Sequence, residues 1–332
     1  MNKLILTSAI SMALLAGCGG GSGSDDKVTV TPEPSSASFS LGISDAPVSN
    51  VKEVWVAFDS IIINGGGEQP TFETRDADNP DQPVMVNLLD YTGSDIFALI
   101  NDEVVAPGEY EWLRANVVNG DMANIEFTSH VVYNDDTIVP LAVNRKGNDG
   151  IGEIQINDFT LAVGENQFVL EFDLKKSLVN PSNSDEVNLK PTGIRLENLA
   201  DVENILGTVS EELFNQCETD NMDIVPETGA FGHAVYLYSV AEGQKDLYVD
   251  GETVPADAPI ATANVVMNEE SGAYEFEIGF VAAGEYTLGY TCAAHIDDPE
   301  VMDELFTLES IEPVSVVAGE DSVVTFDIAV AE

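Results

Sequence analysis

The sequence predicts an all-β protein of two sandwich-like domains, preceded by a signal peptide and a flexible linker. Three features carry that prediction. Apolar and polar residues alternate at period two in segment after segment. Glycine, proline and acidic turn residues separate the segments at short intervals, and no long stripe at helical spacing interrupts them. "SFSLGI" puts Phe39, Leu41 and Ile43 on one strand face. "VKEVWVAFDSIIIN" does the same with Val54, Val56 and Phe58 and turns Trp55 and Ala57 the other way. Asn64-Gly65-Gly66-Gly67 then offers the positive φ angles of a turn. "GEYEWLRANVV", "NIEFT", "TIVPLAV" and "NQFVLEFDL" read as later strands, the last alternating Phe168, Leu170, Phe172 and Leu174. A single short helix is expected near Ser94–Asn101, where Ser94 can cap and Asp95 suits the positive end. After "IRLENLADVEN" the pattern begins again with "ILGTVS", "HAVYLYSV", "ATANVVMN", "AYEFEIGF", "GEYTLGYTC" and "SVVTFDIAV". The predicted domains are residues 39–200 and 203–332, each long enough for a core of its own.

Ahead of them, Lys3 and the apolar run Leu4–Leu15 are too short to span a bilayer, which takes roughly 20 residues. They have the form of a cleaved signal peptide, residues 1–17. "LAGC" at Leu15–Cys18 also resembles the bacterial lipobox, which implies that the Cys18 sulfur carries a lipid and that Cys18 becomes the mature N-terminus. Two anchoring signals already hold a protein stably on a membrane, and the resemblance implies three acyl chains. Gly19 rather than Asp after the cysteine implies, by the same resemblance, the outer membrane, facing either the periplasm or the cell surface. Residues 18–38 are rich in Gly, Ser, Pro and acids and form a tether of roughly 25 Å root-mean-square span.

Two cysteines remain, Cys217 and Cys292. A compartment outside the cytoplasm permits a disulfide, and two cysteines allow one intramolecular pairing. Cys292 shares a strand face with Tyr286, Leu288 and Tyr290, which places it inward; two buried free thiols are the alternative.

Charge narrows the partners. Twelve Lys and Arg stand against 59 Asp and Glu, for a net charge of −47. Residues 39–200 hold 9 bases and 27 acids, whereas residues 201–332 hold 29 acids and the single base Lys245. Such a surface repels nucleic acid and bare anionic headgroups. Solubility in salty water, where the Debye length is near 8 Å, explains the balance, and so does a demand for divalent cations. "RDADNPDQP" brings Asp76, Asp78 and Asp81 within six residues, hard oxygen donors of the kind calcium takes, although the glycine and distal glutamate of an EF-hand are missing. A solvated acidic loop is the alternative.

No catalytic motif appears. His130, His233 and His295 lie in no G-x-S-x-G, H-E-x-x-H or C-x-x-C setting and read as structural or exposed, and no phosphate-binding glycine loop is present. Paired carboxylates carry no weight in so acidic a chain. Trp55 and Trp112 could stack on sugars, but both fall in strands, where a tryptophan is usually core.

The segment Phe39–Glu197 resembles the bacterial family known as domain of unknown function 4382, common in lipoproteins. The resemblance rests on "LGISDAPVSNVKEVWVAFDSIII", "VNLLDYTG", "APGEYEWLRANV", "FVLEFDLKKSLV" and "LKPTGIRL", in that order. It implies a sandwich-like fold on secreted or surface proteins and brings no catalytic residues. Physically, Asp45 before Ala46-Pro47 suits an Asx-type turn, and Pro107-Gly108 a turn into the Tyr110 strand. The second half resembles carboxypeptidase-regulatory or transthyretin-like sandwiches through "GAYEFEIGFVAAGEYTL", which are also non-catalytic. The expected function is therefore a lipid-anchored binding, adhesion or scaffolding module with an envelope protein or glycan as partner. A hydrolase with an unfamiliar acidic site and a carbohydrate-binding module are the alternatives.

Overall fold

A computed structural model describes residues 36–328, apart from 47–50, 66, 144, 146, 148–149, 181–184, 226–229, 249–254 and 303–304. The expected signal peptide, Cys18, almost all of the linker and Pro47 lie outside the described residues. Four sheets make up the rest. Sheet I has the order Ile194–Asn198, Gly164–Asp173, Ala37–Ala46, Phe97–Val105. Sheet II has nine strands centred on the long strand Val51–Gly65 and its neighbour Gly108–Val118. Sheet III runs Val266–Met267, Tyr274–Ala282, Val202–Val209, Ser322–Phe326, and sheet IV runs Ala261–Asn264, Ala234–Tyr238, Gly284–Thr291, Ser310–Val316. All strands of sheets I and II come from the first half of the chain and all strands of III and IV from the second, yet Ser35–Glu332 forms one compact unit.

Period-two faces build both cores. Phe39, Leu41 and Ile43 point with Val54, Val56 and Phe58 into a core between sheets I and II, all at most 1% exposed. Leu288, Tyr290 and Cys292 do the same for the second half, against Ile205, Ile278 and Phe326. The turn after Asn64 closes with reciprocal Gly65–Glu68 backbone bonds, and Gly67 takes φ +84°. Gly108, at φ 145°, opens its strand after Pro107.

Several sequence expectations fail locally. Ser94–Asn101 is no helix: Phe97–Val105 is an edge strand pairing antiparallel with Ala37–Ala46, and tertiary pairing overrides the local cap. "NIEFT" makes a turn of 3-10 helix at Ile125–Phe127. "ATANVVMN" splits between sheets IV and III. The main helix, Glu211–Asp220, was signalled only by Ser210, whose side chain caps the Leu213 amide at 3.3 Å, and by Glu211 and Glu212 at the positive end. Its buried Cys217 forms the disulfide to Cys292 across 75 residues, tying the helix to the end of strand Gly284–Thr291.

Candidate functional site at the junction of the two halves

Asp45 lies on the same strand face as Phe39, Leu41 and Ile43, at the end that meets the second half. It is 1% exposed, and neither carboxylate oxygen completes a hydrogen bond among the described residues; the expected Asx turn runs into Pro47 and lies outside them. Burial, then the neighbouring charges of Asp173 and Glu171, hold its carboxyl well above the usual range against the weaker pull of the Leu174 and Ala46 amides. Desolvation of the ionised form, with acidic neighbours beside it, is what favours the neutral carboxyl there.

Strand Gly164–Asp173 runs parallel to Asp45's strand, setting Phe172 opposite Asp45 and Asp173 opposite Ala46. Asp173 ends the strand and caps the one-turn helix Leu174–Ser177 by accepting the Lys176 amide at 3.2 Å. From the second half, the Thr262 hydroxyl donates to the same Asp173 oxygen at 2.9 Å. Burial pushes the Asp173 carboxyl up to about 6, with Lys176 opposing the shift and Glu171 adding to it. On the antiparallel neighbour Ile194–Asn198, Arg195 pairs with the buried Glu171 and with Glu197.

The cations of this cluster all reach across the junction. Lys175 Nζ donates to the Ala294 carbonyl at 2.9 Å, Lys176 Nζ to the Ile260 carbonyl at 3.3 Å, and Arg195 Nη1 to the Phe280 carbonyl at 3.2 Å. Lys190 pairs with Glu300 at 2.7 Å. Burial holds the Lys175 and Lys176 ammonium groups below the usual lysine range, against nearby carboxylates. Hydrogen bonds to charged groups contribute about 1.5–3 kcal/mol each when desolvated, so losing one partner here is costly.

The second half distorts its backbone to meet them. Phe280 takes φ 57°, a left-handed conformation that costs a non-glycine residue about 1–2 kcal/mol. It sits where the pairing of Tyr274–Ala282 with Val202–Val209 shifts register, a bulge. The bulge aims the Phe280 carbonyl at Arg195 and buries its ring with Val169, Ile96, Val202 and Leu199, from both halves. Beside it, Gly279 and Gly93 let the two backbones touch: a Cβ on Gly279 would stand 2.4 Å from the Gly93 carbonyl oxygen.

A cleft of about 350 Å³ opens beside Lys175, lined also by Tyr133, His295 and Asp297. Its polar groups are largely engaged within the protein. Asp297 accepts the Tyr236 hydroxyl at 2.6 Å and the Leu247 amide at 3.0 Å, and burial pushes its carboxyl up to about 6. His295 Nδ1 lies 3.1 Å from the Gly232 amide and 3.2 Å from the Cys292 carbonyl, and its Nε2 lies 2.9 Å from the Ile224 carbonyl, so both ring nitrogens are engaged by backbone. His233, lowered by burial, lies between Tyr290 and Glu218 with Phe214 stacked 3.5 Å away.

The other expected residues lie elsewhere. Asp76 turns its carboxylate onto the Asp78 and Asn79 amides at 2.9 and 2.8 Å, closing its loop. Among the described residues no group of three or more His, Cys, Asp or Glu gathers as metal ligands would. Trp55 and Trp112 are half-buried on the outer face of sheet II rather than in the core. The His130 ring stacks on the former and the Arg114 guanidinium covers the latter at 4.5 Å.

The ordered motifs "SDAP", "EFDLKK" and "LKPTG" therefore converge on one junction. Residues 36–191 match the family model described as Domain of unknown function (DUF4382). The matched segment supplies Asp45, Glu171, Asp173, Lys175, Lys176 and Lys190 and stops short of Arg195. No curated protein matches the chain. Among solved structures it is similar to a candidate adhesin from Bacteroides ovatus at 9% identity and TM-score 0.17, covering 96% of this chain and 95% of that one. A fimbrial protein from Bacteroides ovatus matches at 10% and 0.15, covering 89% and 51%. A candidate cell-adhesion protein from Bacteroides fragilis matches at 7% and 0.18, covering 86% and 91%. At these TM-scores none of the three establishes a shared fold or function.

Proposed function

We propose that the protein is a lipid-anchored, non-catalytic module of the outer membrane, held out on a flexible tether as one stiff two-part body that presents its surface to an envelope protein or glycan. The junction carries this reading. The charged residues concentrated in the motifs of the first half are engaged in joining the halves: Lys175, Lys176 and Arg195 donate to second-half carbonyls, and Asp173 is bonded to Thr262. Groups that a hydrolase would leave free to meet substrate are here tied to the fold. The sugar-binding alternative is weakened by His130 and Arg114, which lie against the rings of Trp55 and Trp112. Attachment rests on the Leu15–Cys18 sequence and the tether after it.

Metabolic labelling with a palmitate analogue tests the anchor. Wild type is expected to take up label and remain with the outer-membrane fraction, and Cys18→Ser to lose both; equal label in the two proteins refutes it. A panel of glycosidase, esterase and protease substrates tests the absence of catalysis, and turnover abolished by Asp173→Asn or Lys175→Met would overturn the reading of the junction as purely structural.

A further inference from the structure

The first and second halves are joined covalently by a short turn. Strand Ile194–Asn198 ends at Asn198 and Val202 begins the next, with Asn198 bonded to Asp201 through both side chain and backbone. Everything else that keeps the halves together is the junction, and its centre is ionisable. We propose that the junction is a proton-linked clamp, closed more firmly in mild acid than at neutral pH, so that acidity sets how rigidly the two halves are held about the Asn198–Asp201 turn.

The geometry places Asp173 at the contact with the second half, and Asp297 on the facing side beside Lys175. Asp173 is buried by contact with the second-half strand Ala261–Asn264, through Thr262. It faces Glu171 on its own strand, Asp45 from the parallel strand, Lys175 and Lys176 from the short helix, Arg195 from the antiparallel strand and Tyr236 from sheet IV. Asp297 faces Lys175 across the junction, with Tyr236, Tyr238 and Asp246 on its own side. Asp173 Oδ2 and both oxygens of Asp45 complete no hydrogen bond, so ionised carboxylates there are poorly compensated. When the halves part, Asp173 loses Thr262 and regains water and the ordinary Asp range near 3.9, while Asp297 keeps Tyr236 and Leu247 and loses the cover of the first half beside Lys175.

The sign follows. With carboxyls near 6 when docked, the closed state binds more protons than the open one between about pH 4 and 6, so acid favours closure and closure weakens as pH rises through 6. Asp173 changes the opening constant about tenfold between pH 7 and pH 5, and Asp297 adds up to a further tenfold in proportion to the water it regains on opening. Lys175 and Lys176, lowered by burial, act in the opposite sense, and only above their own lowered values.

Hydrogen exchange on the full chain, corrected for intrinsic rates and read as opening constants, tests this at pH 5, 6 and 7. Peptides covering Leu174–Ser177 and Ala261–Asn264 are expected to open ten- to a hundredfold less at pH 5 than at pH 7, while Val54–Ile63 in the first core changes little. Asp173→Asn with Asp297→Asn keeps an oxygen acceptor at each position and should flatten that dependence with the protein still folded. Asp78→Asn, on the exposed loop, should leave it intact. Equal opening constants at pH 5 and pH 7 in the wild type would overturn the proposal, as would an unchanged slope in the double variant.

Discussion

Replacing Gly279 with alanine exchanges a hydrogen for a methyl group where the two halves have no room for it. The new Cβ would meet the Gly93 carbonyl oxygen at 2.4 Å and its carbon at 2.9 Å, both backbone atoms of the other half. Relief to ordinary contact requires the halves to separate by about 1 Å. Phe280 is the next residue, and its carbonyl holds Arg195 at 3.2 Å, so that bond lengthens beyond useful range. Overpacking of this kind costs about 1–3 kcal/mol. Loss of the bond to the guanidinium adds about 1.5–3 kcal/mol, for roughly 2.5–6 kcal/mol at the junction in total. The two cores lie away from the contact and are expected to survive. Both tryptophans belong to the first half, so tryptophan fluorescence in a urea titration reports that half while circular dichroism reports both. The variant should unfold at lower urea, with the two signals separating where the wild-type signals coincide. Gly272→Ala is the control: Gly272 has φ +72° and nothing within 4 Å of its would-be Cβ, so only local strain of about 1 kcal/mol applies. If Gly279→Ala unfolds as the wild type does, the halves are not in backbone contact and the account of the junction is wrong.

Two further outcomes follow from the same structure. Reducing Cys217–Cys292 reopens a 75-residue loop, worth up to about 4.5 kcal/mol in the chain-entropy model, and should destabilise the second half before the first; thiol mapping that finds both cysteines free in untreated protein contradicts it. Calcium at constant ionic strength should leave the melting temperature unchanged, because Asp76 already serves its own loop amides; a rise equivalent to about 2.7 kcal/mol at a hundred times Kd, abolished by Asp76→Asn with Asp78→Asn, would restore a metal site there.

The sequence alone determined the class of structure. Period-two alternation is a local property of the backbone, since successive side chains on a strand point to opposite faces, and so Phe39, Leu41, Ile43, Val54, Val56 and Phe58 declared the first core without knowledge of their partners. Cys292 likewise revealed its inward face through Tyr290 and Leu288, and with one possible partner the disulfide to Cys217 was legible. Where local signals competed with pairing, the sequence misled. Ser94 and Asp95 offered a helix start, but the edge of sheet I took Phe97–Val105 as a strand, because ladder hydrogen bonds and burial outweigh a single cap.

Only the tertiary structure decided what the charged motif residues are for. Turn chemistry is written in neighbours such as Ala46 and Pro47, and those neighbours say nothing of the burial of Asp45. Its burial depends on Phe172 and Asp173, more than a hundred positions away, and on a second half that covers them. Lys175, Lys176 and Arg195 donate to backbone carbonyls of Ala294, Ile260 and Phe280, and a carbonyl leaves no trace in residue identity. The left-handed Phe280 and the contact between Gly93 and Gly279 are equally silent. Charge and desolvation act through space, so the meaning of those residues was fixed only when folding brought the two halves together.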